Sequence, residues 1–261
     1  MRPTSEYLEA KRWVAWGLND CQIGRLMRIS RTTVRDWRTE RVRDLSGSRR
    51  CARMGPEDCP RCDDASLNEC WYAYLLGLYL EDGCLSEHAR GVFRLRVVLD
   101  ERHLGIISEC AVAIGAMRPA KDSVTFNQNP GCIEVSAYWK HWPCLFPQHG
   151  RGPKHKRPIK LWSWQEAIVR RHPDRLLRGL IHSDGWRGYN RVRGGKYSYA
   201  RYQFTNASKD IREIFCDACD LLGVSWRRMN ERNISIARLA DVARLDSISD
   251  RNTRSYSLRL V

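Results

Sequence analysis

The chain has 261 residues, 43% of them hydrophobic, enough for one large domain or two smaller ones with a true core. Its 45 Lys and Arg against 30 Asp and Glu leave a net charge of +15, and a chain this basic without a lipid-anchor motif points to a polyanionic partner, nucleic acid first. No run of about 20 apolar residues exists to cross a membrane, and the opening residues Met1-Arg2-Pro3-Thr4-Ser5-Glu6 lack the apolar stretch of a signal peptide, so a cytoplasmic, nucleoid-associated protein is expected. Eleven cysteines, an odd number, argue against a full disulfide framework and leave metal binding and core packing as their uses.

In chain order, residues 5–18 read as a capped amphipathic helix ending near Gly17. Residues 19–27 form a second, short helix with Ile23, Leu26 and Met27 inward. Arg28-Ile29 makes a turn, and Ser30 caps a third helix, Arg31-Thr32-Thr33-Val34-Arg35-Asp36-Trp37-Arg38, with Val34 and Trp37 on its inner face. This rhythm resembles the helix-turn-helix of bacterial resolvases and regulators. The resemblance implies a DNA-binding domain over residues 1–46 whose third helix enters the major groove. Arg31, Thr32, Thr33 and Arg35 would face bases there, Arg toward guanine edges and Thr toward thymine methyls. Arg38 and Arg41 would meet phosphates. A three-helix protein-interaction module is the alternative.

Residues 47–70 form a Cys-rich linker. Cys59-Pro60-Arg61-Cys62 places two thiolates at the spacing that can share one zinc ion. Cys51 and Cys70, each separated from the pair by seven residues, are the nearest cysteines and complete a candidate zinc knuckle of four sulfurs.

Two later stretches echo each other: Leu75-Leu76-Gly77-Leu78-Tyr79-Leu80-Glu81-Asp82-Gly83 and Leu177-Arg178-Gly179-Leu180-Ile181-His182-Ser183-Asp184-Gly185. Each reads as an apolar helix ending in Asp-Gly, and the two aspartates stand 102 positions apart, from 82 to 184. Gly in mid-helix costs ~1 kcal/mol against Ala, which is tolerable where two helix backbones must come close. Gly83 and Gly185 fit the left-handed residue that closes a helix. Asp82 and Asp184 then fall in the last turn, where the helix dipole disfavours an acid. The same disfavoured acid at two equivalent places suggests a task, such as holding a divalent cation.

These stretches resemble the paired LAGLIDADG motifs of the homing endonuclease family, over about residues 71–261. Leu76, Arg178 and Glu81 depart from the small residues usual at their motif positions. The resemblance implies an α+β fold of two pseudo-symmetric αββαββα repeats, residues 71–173 and 174–261, in a monomer with an internal pseudo-two-fold. It also implies that Asp82 and Asp184 hold Mg2+, that double-stranded DNA rather than a small molecule is the partner, and that the reaction is hydrolysis of phosphodiester bonds. The basic tract 150–160 holds five Lys or Arg and no acid; within it, the family places a lysine near the scissile phosphate, and Lys154 and Lys156 match. A non-catalytic transcriptional regulator on the same scaffold is the alternative function.

The residue pattern between the motifs agrees with such repeats. Residues 91–99 alternate as a strand with Arg94 and Arg96 on one face and Phe93, Leu95 and Val97 on the other, and the two arginines are candidates for DNA contact. Residues 101–115 read as a helix, and 123–126 and 132–139 as strands. In the second repeat, 197–205 is a strand, 209–223 a helix closed by Gly223, and 224–228 and 233–237 are later strands. The Arg- and Gly-rich segment 186–196 reads as a flexible DNA-contacting loop. Cys216 and Cys219, inside the helix, read as core residues.

Overall fold

A computed structural model describes residues 4–39, 59–63, 65–118, 124–192 and 196–249. Three short helices open the chain: α1 (Thr4–Ala15), α2 (Asp20–Leu26) and α3 (Arg31–Thr39). Asn19 caps α2, its side chain accepting from the amides of Cys21 and Gln22 while Gln22 reaches back to the Asn19 amide. Gly24 lets the turn before α3 fold tightly, since a Cβ there would stand 2.9 Å from the Ile29 carbonyl oxygen. Trp13, Leu18, Ile23 and Val34 fill the small core between the helices. Arg41 and Cys51 lie outside the described residues.

Two repeats with one topology follow. The first runs α4 (Glu69–Glu81), β1 (Gly83–His88), β2 (Val92–Asp100), α5 (Leu104–Ala116), β3 (Thr125–Asn129), β4 (Cys132–Trp139) and α6 (Trp142–Leu145), with α7 (Ser163–Arg171) leading onward. The second runs α8 (Pro173–Asp184), β5 (Gly185–Val192), β6 (Tyr197–Thr205), α9 (Lys209–Leu221), β7 (Arg227–Arg228), β8 (Asn233–Ile236) and α10 (Leu239–Ser249). Each forms an antiparallel four-stranded sheet, ordered β1-β2-β4-β3 in one and β5-β6-β8-β7 in the other. The α+β fold of paired repeats is therefore present. Among the described residues no helix is long and apolar enough to cross a membrane.

The repeats join where α4 lies along α8. A Cβ on Gly77 would come within 2.6 Å of the Leu176 carbonyl oxygen and 2.9 Å of the Gly179 Cα; one on Gly179 would come within 2.2 Å of the Tyr74 carbonyl oxygen. Both glycines are thus required by backbone contact. Tyr72 through Leu80 are buried along their whole length, as expected of a helix covered on all sides. Polar ties flank the contact. Arg178 forms a paired bridge to Glu109 of α5 (2.7 and 2.8 Å) and donates to the Ile248 carbonyl in α10. Tyr74 Oη meets His182 Nδ1 at 3.0 Å, and His182 Nε2 meets the Ser249 carbonyl at 2.8 Å.

Several local readings change. Gly83 and Gly185 do not close their helices in the left-handed region: they open strands β1 and β5, and Asp82 and Gly185 carry negative φ. They are glycines because the strand doubles back on its helix, and a Cβ would meet the Tyr79 Cα at 2.5 Å or the Ile181 Cα at 2.7 Å. Residues 186–192 are strand β5, not loop. Its Arg187 faces α10 and pairs with Asp246 at 2.8 Å, so burial of that face is achieved by an ion pair where the alternation rule looks for an apolar residue. Residues 224–226 fall outside β7.

The glycine contact generates a test. Gly179→Ala forces the helices apart and should destabilise the protein by about 3 kcal/mol, the upper end for overpacking. Gly115→Ala, where a Cβ meets open space at the end of α5, should be neutral or stabilising by up to ~1 kcal/mol. Urea denaturation of the two variants measures the difference.

Candidate functional site

The helix pairing carries the C-terminal ends of α4 and α8 to one place. There Glu81, Asp82 and Asp184 gather, with Asn206 from the end of β6 and Lys154 from the basic tract. Glu81, Asp184, Asn206 and Lys154 line a cleft of about 410 Å³, together with Gly152, His155 and Arg157. Asn206 Nδ2 donates to Glu81 Oε2 and lies 3.5 Å from Asp184 Oδ2, so one amide spans two carboxylates.

Crowding of like charges sets the electrostatics. Burial, then the neighbouring Asp184, pushes the Asp82 carboxyl up to about 6. Burial pushes Glu81 well above the usual carboxylate range, and Asp184 adds to it. Glu81 Oε1 is buried beside the Asp184 carboxyl, and carboxyl oxygens crowded in this way have the chemistry that a hard divalent cation takes.

Lys154 is the nearest counter-charge. Its Nζ donates to the backbone carbonyls of Tyr79, Glu81 (3.0 Å) and Gly83 (2.6 Å), where the α4 dipole is negative. Desolvation by its surroundings lowers its pKa to about 8, against the pull of Glu81 and Asp82. Lys156 is exposed on the same turn and does not line the cleft. Of the two predicted lysines, then, the fold brings only Lys154 to the acids; a 3-10 turn over Lys154–Lys156 points successive side chains in different directions.

The sheet faces turned away from the helices are polar and basic. Arg94 and Arg96 do share that face of β2, opposite buried Leu95 and Val97. They are not free charges, however. Arg94 bonds Ser136 (3.0 Å) and Glu134, and Arg96 lies 3.7 Å from Glu134. In the second repeat the corresponding face carries Trp186, Tyr197, Tyr199 and Arg201, with Arg201 tied to Ser235 at 2.8 Å. Trp186 is 50% exposed, and its ring lies over Gly188, where a Cβ would collide with it at 1.9 Å. On α3, Arg31, Thr32 and Arg35 are exposed and Thr33 is half-buried, its amide donating to Ser30 Oγ at 3.1 Å. Arg38 departs from its predicted role at phosphate. It turns inward, donating to the Leu18 carbonyl at 2.5 Å and pairing with Asp20 at 3.2 Å, and so braces the three helices.

The cysteine prediction is half corrected. Cys59 and Cys62 do come together, but their companions are His141 and Cys144, the four ligand atoms all lying within 4.8 Å of one another. Cys70 sits elsewhere, at the start of α4, with its Sγ 3.4 Å from His172 Nδ1. Nearness in sequence selected Cys70, whereas the loop after β4 supplies the true neighbours from about 80 positions away. Sequence alone does not point to Asn206, Glu81, His141 and Cys144 as site residues. Glu81 carried a signal as an extra acid inside the motif, and the short spacing of His141 and Cys144 was a second one.

No family model and no curated relative match the chain. Among solved structures it is similar to the homing endonuclease I-DmoI in complex with DNA and Mn, at 16% identity and a TM-score of 0.46, over 69% of this chain and 96% of that one. It is similar to the homing endonuclease I-WcaI bound to its DNA recognition sequence, at 15% identity and 0.44, over 76% and 90%. It is likewise similar to the N-terminal LAGLIDADG domain of WhiA, at 13% identity and 0.42, over 70% and 82%.

The raised carboxyls predict how stability depends on pH. A carboxyl whose folded pKa lies above its unfolded value favours the folded state at low pH, and that contribution is lost as pH rises through the folded value. For Asp82 the window runs from about 4 to about 6, and Glu81 extends it upward. In magnesium-free buffer the melting temperature should fall between pH 5 and 7, and Asp82→Asn should flatten the fall. A scanning fluorimetry series checks this; a rising curve for the parent protein would contradict the assignment.

Proposed function

We propose that the protein is a divalent-metal-dependent endonuclease acting on double-stranded DNA. The observation that carries this reading is the convergence of Glu81, Asp82 and Asp184 at the ends of two glycine-packed helices, beside Lys154. The net charge of +15 supports a polyanionic substrate. Exposed aromatics on the two sheets, exposed arginines on the second sheet and the outer face of α3 supply surfaces for its backbone and bases.

Hydrolysis of a phosphodiester builds negative charge on the phosphoryl and leaving oxygens. Glu81 and Asp184 in the cleft, with Asp82 next to them at the end of α4, supply the carboxylate oxygens that would hold magnesium. When bound, that ion contributes Lewis-acid stabilisation of the developing charge. Asn206 keeps the Glu81 and Asp184 carboxylates in a fixed relation. Lys154, anchored by the helix-end carbonyls, presents a positive charge at the cleft that balances the acids and can stabilise the phosphate. With a pKa of about 8 it is also poised to give up a proton near neutral pH. Arg31, Thr32, Thr33 and Arg35 would read part of the target through the N-terminal helices, and Arg94 and Arg96 part of it through the first sheet.

A DNA-binding regulator without cleavage is the second reading, and one observation favours it. The Lys154 ammonium already occupies the carbonyls at the end of α4, so the acid cluster has an internal cation and can persist without a metal.

The test starts from DNA selected by binding out of a random pool. With magnesium, the protein should nick or cut that DNA. Asp184→Asn and Asp82→Asn should each lower the rate at least about 100-fold while leaving binding intact. Tight binding without cleavage by the parent protein, at any magnesium concentration, would leave the regulator reading in place.

A further inference from the structure

We propose that Cys59, Cys62, His141 and Cys144 form a structural zinc site that fastens the segment before α4 to the first repeat. The argument is geometric. Cys62 Sγ lies 3.6 Å from Cys144 Sγ and 3.6 Å from His141 Nδ1, and Cys144 Sγ lies 3.7 Å from His141 Nδ1. Tetrahedral zinc with zinc–sulfur bonds of about 2.3 Å places its ligands about 3.5 to 3.8 Å apart. A disulfide needs its sulfurs about 2.05 Å apart, so Cys62 and Cys144 are spaced as co-ligands.

The backbone around the ligands is arranged to match. Cys59 and Cys62 flank a tight turn, with the Cys62 and Asp63 amides donating to the Cys59 carbonyl at 3.2 and 2.9 Å. The Arg61 amide points at Cys59 Sγ from 3.4 Å, the type of donor that stabilises a metal-bound thiolate. On the other side, the turn entering α6 places His141 and Cys144 one above the other, the Cys144 amide donating to the His141 carbonyl at 3.0 Å. Trp139 packs edge-on against the His141 ring at 5.3 Å and fixes its orientation. Arg61 stacks over Trp164 at 4.6 Å, which seats the turn on the repeat.

Three thiolates and one imidazole complete a four-ligand set with no open position, the composition of a structural rather than catalytic zinc site. Its two halves are 79 to 85 positions apart in sequence, from Cys62 to His141 and from Cys59 to Cys144, so the ion closes a long loop. It does so in the chain between the N-terminal helices and α4, immediately before the first motif helix. This site stands apart from the acid cleft, and its failure would leave the nuclease reading untouched.

The experiment measures zinc by elemental mass spectrometry in the full-length protein purified without added metal. About one zinc per chain is expected. Cys62→Ser and Cys144→Ser should each reduce it below about a tenth of that, while Cys70→Ser leaves it unchanged. His141→Cys, which preserves four ligands, should retain the ion and shows that the losses are not general misfolding. If the serine variants do not fold, cobalt(II) uptake by the parent protein is read instead, and tetrahedral thiolate absorption supports the site. Unchanged zinc in folded Cys144→Ser, loss of zinc in Cys70→Ser, a metal-free parent protein with a Cys62–Cys144 disulfide, or absence of the cobalt spectrum would overturn it.

Discussion

Everything in this protein hangs from the backbone contact between Gly77 and Gly179. Any side chain at either position would sit within 3 Å of the facing helix, so glycine alone permits the pairing. The contact orients the two repeats, and the same two helices deliver their terminal acids to one cleft. Fold and candidate chemistry therefore share a single determinant. Arg178 with Glu109 and Tyr74 with His182 then lock the pair laterally, which explains how a long charged residue is accommodated next to the glycine contact.

The cleft is an electrostatic compromise. Three carboxyls meet at helix ends whose dipoles already oppose them, and burial raises Asp82 and Glu81 further. Lys154 relieves part of the strain by occupying carbonyls and facing the acids at once. Such an arrangement is unfavourable for stability alone, a cost that the proposed cation would relieve. The asymmetry is informative too. Glu81 has no acidic counterpart beside Asp184, where Ser183 stands, so the two halves of the cleft are chemically distinct despite the repeated topology.

Much of this was legible in the sequence, for identifiable reasons. The glycine spacing and Asp endings announce the paired helices, and alternation announces β2 and β6. What escaped had weaker local signals. β1 and β5 lie at sheet edges, and β5 buries Arg187 against Asp246 where a sequence pattern looks for an apolar residue. α10 carries no clear apolar stripe, because its buried positions include Asp241 and Ser249. Gly83 and Gly185 read from sequence as helix-closing residues but serve another purpose: they yield space to the preceding helix, a demand that only tertiary packing shows. Arg38 reads as a surface charge from its helix and becomes a brace once the Leu18 carbonyl is near it. His141 and Cys144 lie too far along the chain for spacing arguments to connect them with Cys59 and Cys62.

The central claim is that Asp82 and Asp184 act on one shared cation, and manganese binding followed by electron paramagnetic resonance tests it most directly. Asp82→Asn, Asp184→Asn and the double variant form a thermodynamic cycle. Shared coordination predicts that each single change weakens manganese binding by at least about tenfold and that the double variant loses much less than the product of the two. Fully multiplicative losses, or unchanged affinity in either single variant, would mean that the two helix ends do not form a common metal site.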